Sequence, residues 1–164
     1  MRALTMDQAL AVILNTFKHA ETLKSHALAA CVLDAGGRVK AFLKQDGASL
    51  MRFEIACGKA FAALAMNRSS RLVLQKAREK PLFMDSLREM ADSPLFLEAG
   101  GQLIRDDEGE IVGAIGVTGD VNEIDDLCAV AGIRAVGLKS DEDFSEADCR
   151  RLNIKRGPPI KDPR

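Results

Sequence analysis

Two stretches of this chain run apolar into a glycine turn and come straight back, and they restrict its architecture more than any other feature. In the first, Ala29-Ala30-Cys31-Val32-Leu33-Asp34 is followed by Ala35-Gly36-Gly37 and then by Arg38-Val39-Lys40-Ala41-Phe42-Leu43-Lys44. The first arm is continuously apolar and the second partly alternates, which predicts a hairpin of one buried and one half-exposed strand. Gln45-Asp46-Gly47 closes it with turn residues. In the second, Gln102-Leu103-Ile104-Arg105, after Gly100-Gly101, meets the turn Asp106-Asp107-Glu108-Gly109 and returns through Glu110-Ile111-Val112-Gly113-Ala114-Ile115-Gly116-Val117. Gly113 and Gly116 mark places where another backbone can approach closely. Short turns join antiparallel neighbours, whereas parallel strands need long crossovers. Leu95-Phe96-Leu97, after Asp92-Ser93-Pro94, also reads as strand-like.

Helical periodicity fills the remainder. Thr5-Met6-Asp7-Gln8 is a capping box, and Met6, Ala9, Leu10, Ile13, Phe17 and Ala20 recur behind it as the core stripe of a long first helix, with His19 on the opposite face. From Leu50 to Ala65, Phe53, Ala56, Cys57, Ala60, Phe61 and Leu64 share a face, and the density of alanine predicts close packing on a sheet or helix. Ser69-Ser70 opens a further helix through Ala77, Pro81 interrupts it, and Leu82 to Met90 forms another. After Thr118-Gly119-Asp120 a last helix carries the stripe Ile124, Leu127, Cys128, Ala131 and Ala135. Helix, hairpin, helices, hairpin, helix is the order of an α+β fold: a central antiparallel sheet with flanking helices. Residues 1–140 read as one domain, and 141–164 as a polar C-terminal extension.

The balance of charge excludes some functions. With 23 basic and 24 acidic residues the net charge is −1, and there is neither Trp nor Tyr, so nucleic acid is not an expected partner. No apolar run approaches the roughly 18 residues that span a bilayer, and the N-terminus lacks a signal-peptide core, so a membrane is not expected and a cytoplasmic location is. Cys31, Cys57, Cys128 and Cys149 form no C-x-x-C pair and no zinc-ligand spacing with a histidine, so no metal site is expected. Cys31, Cys57 and Cys128 read as small buried hydrophobes of a reducing compartment. No Ser–His–Asp arrangement, P-loop, H-E-x-x-H or dinucleotide fingerprint is present.

Read in order, these segments resemble the GlcG/HbpS family, the haem-degrading domain family related to the C-terminal domain of PduO-type corrinoid adenosyltransferases. Val32-Leu33-Asp34-Ala35-Gly36-Gly37-Arg38 resembles its first hairpin, and Gln45-Asp46-Gly47-Ala48 the segment that follows. Ala56-Cys57-Gly58-Lys59-Ala60-Phe61-Ala62-Ala63 resembles its "AxxKAxTA" helix, with Ala62 where Thr is common. Gly100-Gly101-Gln102-Leu103-Ile104 resembles "GGxP" with Leu103 at the Pro position, and Gly113 to Gly119 resembles "GAIGVSG". Asp125 with Cys128-Ala129-Val130-Ala131-Gly132 resembles "DxxCAxAG". The resemblance implies a profilin-like sheet, assembly as a homo-oligomer of two or more copies, and haem as the leading cofactor.

Candidate ligand-binding residues follow from both lines. Gly116, Thr118 and Gly119 lie between a strand and a helix, where successive N–H groups form an anion-binding nest or, on the plainer reading, a sharp structural turn. Asp120, Glu123, Asp125 and Asp126 at that helix start can satisfy its dipole themselves. Lys59, alone among small apolar residues, suits a ligand carboxylate or a bridge to Asp34 or Asp46 of the hairpin, and its charge demands a partner if buried. Haem needs an axial donor. Of the two histidines, His19 is the axial candidate, and His26 lies in the loop before the first strand. The expected function is a small-ligand-binding protein holding its ligand between the glycine-rich turn and the Lys59 helix. The alternative is an enzyme of organic-acid or aromatic catabolism, such as a hydrolase, deaminase or isomerase.

Overall fold

The computed structural model describes residues 2–164. Helix α1 (Met6–Thr22) begins at the expected box: Thr5 Oγ1 accepts from the Gln8 amide at 3.1 Å, and Gln8 Oε1 accepts from the Thr5 amide at 3.0 Å. Strands β1 (Ala29–Asp34) and β2 (Val39–Lys44) form the first hairpin. Helices α2 (Arg52–Met66), α3 (Ser70–Glu79) and α4 (Pro81–Met90) follow. Strands β3 (Gly101–Arg105) and β4 (Ile111–Thr118) form the second hairpin, and α5 (Asn122–Ala135) returns across the sheet. A 3-10 turn at Asp141–Asp143 and the short helix α6 (Glu146–Leu152) lead to the C-terminus.

The four strands make one antiparallel sheet in the order β2-β1-β4-β3. Each hairpin pairs within itself, and the hairpins join through β1 and β4, from Ala29 opposite Thr118 to Asp34 opposite Gly113. Both turns therefore sit at one end of the sheet. They use one device: the Asp34 carboxylate accepts from the Gly36 and Arg38 amides, and the Asp106 carboxylate accepts from the Glu108 and Glu110 amides. Gly37 (φ 79°) and Gly109 (φ 88°) supply the left-handed residue each turn requires.

Helices cover both faces. Ala30 and Val32 of β1, with Ile115 and Val117 of β4, pack beneath α1 and α5. Cys31 and Leu33, with Ala114, pack on the opposite side against Ala56, Ala60 and Ala63 of α2. This two-sided burial explains why β1 reads as an unbroken apolar run. The alanine and glycine content sets the spacing of the α2 layer: a Cβ on Gly116 would collide with the Ala56 carbonyl oxygen. Helices α3 and α4 enclose a smaller cluster around Val73, Met84 and Leu95.

Three expectations need correction. Leu95-Phe96-Leu97 is irregular, because the Phe96 amide donates to the Gly58 carbonyl at 3.1 Å instead of joining a ladder. Met6 is 62 % exposed, and the buried face of α1 is Ala9, Val12, Ile13, Thr16 and Ala20. The buried face of α5 is rotated from the expected stripe, taking in Asp125, Asp126, Ala129 and Gly132 and leaving Ala135 exposed. The segment 141–164 is anchored to the sheet: Arg105 and Lys139 exchange backbone hydrogen bonds, and Arg105 Nε pairs with buried Asp141 at 2.6 Å. Among the described residues no helix is long and apolar enough to cross a membrane.

Candidate functional site

The six residues expected around one ligand do not converge. Asp34 is at the turn end of β1, where its carboxylate holds the hairpin, and Asp46 is exposed beyond the far end of β2. Gly116 lies under the α2 backbone, and Gly119 (φ 144°) lies against the backbone of Ala27 and Leu28. Thr118 is buried, and its hydroxyl accepts from Arg52 Nη1 at 2.7 Å. The glycines at this end of the sheet admit neighbouring backbone and leave no cradle for an anion.

Lys59 reaches the same end of β4 but is committed there. Its side chain is 3 % exposed; Nζ donates to the Val117 carbonyl at 2.9 Å and pairs with Asp125 Oδ2, 1 % exposed, at 3.1 Å. The bridge expected to Asp34 or Asp46 is thus made to α5 instead, because Lys59 reaches from α2 to the Val117 end of β4, where α5 begins. Asp125 Oδ1 also accepts the Asp120 amide at 3.1 Å. Beside it, Asp126 Oδ1 accepts from the Gly100 amide at 2.9 Å and Gln102 Nε2 at 2.7 Å. Ser70 Oγ continues the network, accepting from the Gly101 amide at 2.7 Å and donating to the Glu98 carbonyl at 2.6 Å.

Burial pushes the Asp125 carboxyl up to about 6 against the opposing pull of Lys59. Burial lifts Asp126 to about 6 as well, against its hydrogen bonds from Gln102 and Gly100. Perturbed carboxyls beside a lysine are a familiar sign of acid–base chemistry. Here they are sealed from solvent and occupied by backbone and side-chain donors, so they join α2, α3, β3 and α5. Asp125 lies three, four and seven residues before Cys128, Ala129 and Gly132, all buried. That shared face was the signal in the sequence that these acids point inward.

Of the surface clefts, two bear on the expected site residues and on the first hairpin. The first, of about 330 Å³, opens between the β1–β2 hairpin and α2. Leu33, Val39, Phe53, Phe61 and Pro94 form its apolar walls, Cys57 is among its lining residues, and Arg38 stands at the rim. Phe53 is 41 % exposed and stacks edge-to-face on Phe42, ring centres 4.8 Å apart. Cys57 Sγ lies 2.7 Å from Sγ of buried Cys31 on β1. The second cleft, of about 540 Å³, lies between the end of α1 and the end of β2, with Glu21, His26, Lys44 and Asp46 around Ala20 and Ala27. Asp46 is the one expected site residue on either cleft. His19, half-buried in the last turn of α1, lines neither. Among the described residues no cluster of three or more potential ligands could hold a metal ion.

A four-stranded antiparallel sheet in the order β2-β1-β4-β3, held between an α1/α5 layer and an alanine-rich α2, makes this a small α+β domain. Within that class the chain belongs to the family described as haem degrading protein HbpS-like, whose model matches residues 4–134. Among solved structures it is similar to a double mutant of HbpS from Streptomyces reticuli, at 25 % identity and TM-score 0.71, over 82 % of this chain and 88 % of that one. The fold also matches the haem complex of PduOC (22 % identity, TM-score 0.73, 85 % of this chain and 99 % of that one). A third match is the Klebsiella pneumoniae protein ORFY (20 % identity, TM-score 0.74, 84 % and 92 %). A search of curated proteins finds no match.

Proposed function

We propose that this chain is a small-ligand-binding protein whose site is the apolar cleft between the first hairpin and α2, and that haem is its ligand. The observation that carries this is the unsatisfied chemistry of that cleft. Phe53 and Val39 remain solvated, and Arg38, exposed at the rim, makes no ion pair with a carboxylate among the described residues. Ligand sites combine such apolar walls with a few placed polar groups.

The residues present fit a porphyrin. Phe53, Phe61 and Val39 would take the macrocycle face, Arg38 a propionate carboxylate, and Cys57 the iron. Bound there, haem would supply an iron centre with thiolate ligation. The family membership and the haem complex of PduOC support haem as the first ligand to test. The axial role expected of His19 is the competing assignment, and it needs a site at which α1 faces a second copy. Homo-oligomerisation belongs to the same reading: β2 is an open sheet edge, and Leu50, Met51 and Phe53 beside it are exposed.

The test is a hemin titration of purified protein. A saturable Soret shift is expected, abolished or moved by Cys57→Ser, weakened by Arg38→Ala, and retained by His19→Ala and His26→Ala. Absence of the shift would remove haem as the ligand. A shift lost in His19→Ala and kept in Cys57→Ser would move the site to α1.

A further inference from the structure

The contact between Cys31 and Cys57 carries a second inference, which does not depend on haem. The residues are 26 apart in sequence and on different elements, β1 and α2, yet their sulfurs lie 2.7 Å apart. A disulfide needs about 2.05 Å between sulfurs, so the two sulfurs are already within one ångström of bonding distance. The two thiols are also unequal in access. Cys31 is fully buried in the layer between sheet and α2, whereas Cys57 is half-buried and lines the apolar cleft.

We propose that Cys31 and Cys57 form a redox couple that reduces a hydroperoxide entering the cleft, with Cys57 as the attacking thiol and Cys31 as the resolving thiol. The Cys57 thiolate attacks the distal oxygen of the peroxide. The O–O bond breaks, Cys57 becomes a sulfenic acid, and the departing oxygen takes a proton to leave as water or an alcohol. Cys31 then gives up its proton and attacks the Cys57 sulfur. The S–O bond breaks, water leaves, and the disulfide remains. Two thiols and one hydroperoxide thus become one disulfide, one alcohol (or water) and one water. An external dithiol restores the starting state by exchange.

The electrostatics fall in the same order. The hydrogen bond with Cys31 draws Cys57 below the ordinary thiol range, against burial and the Glu54 charge, which push it up. Cys31 is raised, first by that same hydrogen bond and then by burial. Deprotonation is therefore easier at Cys57, the residue that lines the cleft, than at buried Cys31. The remaining cysteines serve as internal controls. Cys128 is buried on the α1/α5 side of the sheet, where burial pushes its thiol up to about 12. Cys149 lies on α6, its sulfur 3.8 Å from the Phe144 carbonyl oxygen.

The experiment uses the reduced full chain, free of haem, and about one equivalent of hydrogen peroxide. Free thiols are then alkylated and the protein is digested with trypsin for mass spectrometry. The expected product is the peptide Ser25–Arg38 disulfide-linked to Phe53–Lys59, with Cys128 and Cys149 alkylated and the link reversed by dithiothreitol. In Cys31→Ser, Cys57 is expected to persist as a sulfenic acid and be trapped by dimedone. In Cys57→Ser, Cys31 is expected to remain a thiol. Full alkylation of Cys57 in the wild-type chain would overturn the proposal. So would over-oxidation of Cys57 beside an intact Cys31 thiol, or oxidation confined to Cys149. Because hemin is absent, failure of the haem reading leaves this outcome unchanged.

Discussion

Replacing Lys59 with Met tests the central structural claim, that this lysine neutralises a buried acid. Lys59 and Asp125 are 3 % and 1 % exposed and 3.1 Å apart. At an effective dielectric of about 20, that separation corresponds to an attraction of about 5 kcal/mol, in line with the 3–5 kcal/mol typically lost when one partner of a buried pair is removed. Met keeps most of the apolar stem, so the loss reflects the charge and the bond to the Val117 carbonyl. The expected cost at pH 7.5 is about 4 kcal/mol. It should shrink at pH 5, because the Asp125 carboxyl, already raised to about 6 by burial, is then largely neutral in the wild type too. Adding Asp125→Asn to Lys59→Met should recover part of the loss at pH 7.5 by removing the stranded charge. With neither Trp nor Tyr in the chain, the readout is urea unfolding followed by far-ultraviolet circular dichroism. A Lys59→Met cost below about 1 kcal/mol that is the same at both pH values would refute the reasoning.

The wild type carries a related signature. Asp125 and Asp126 both have folded-state values of about 6, raised by burial from an ordinary 3.8. The native state therefore binds these protons more tightly than the unfolded chain. Their contribution, about 3 kcal/mol each, is fully present below pH 4 and lost as pH rises through 6. Stability measured from pH 4 to 6 should fall more steeply in the wild type than in Asp126→Asn. Gly116→Ala places a Cβ against the Ala56 carbonyl, and should cost about 3 kcal/mol, a fall in Tm of roughly 10 °C by calorimetry. Arg105→Met strands Asp141 in a buried site. It should cost about 3 kcal/mol or more and make the segment 141–164 the first to be cut in limited proteolysis.

The sequence by itself determined the skeleton. Glycine turns between apolar runs specified two antiparallel hairpins, the Thr5–Gln8 box specified where α1 starts, and the alanines of α2 specified a helix lying close on the sheet. These are local signals, carried by backbone geometry and side-chain period within a few residues. The motifs that resemble the HbpS family lie on these same elements, which is why the family was legible too. Tertiary structure decided which side chains meet. Lys59 had several acids within reach in principle, and only the packing of α2 and α5 on opposite faces of β4, with Lys59 reaching the Val117 end of that strand, chose Asp125. That choice gave Lys59 a buried acid as its partner. It also drew Asp126 inward, where Gly100 and Gln102 occupy it. Cys31 and Cys57 read separately as small buried hydrophobes, since nothing within either segment records that a strand residue and a helix residue will face each other. A contact across a layer depends on the offset and rotation of two elements, and those are fixed by the packing of the whole core.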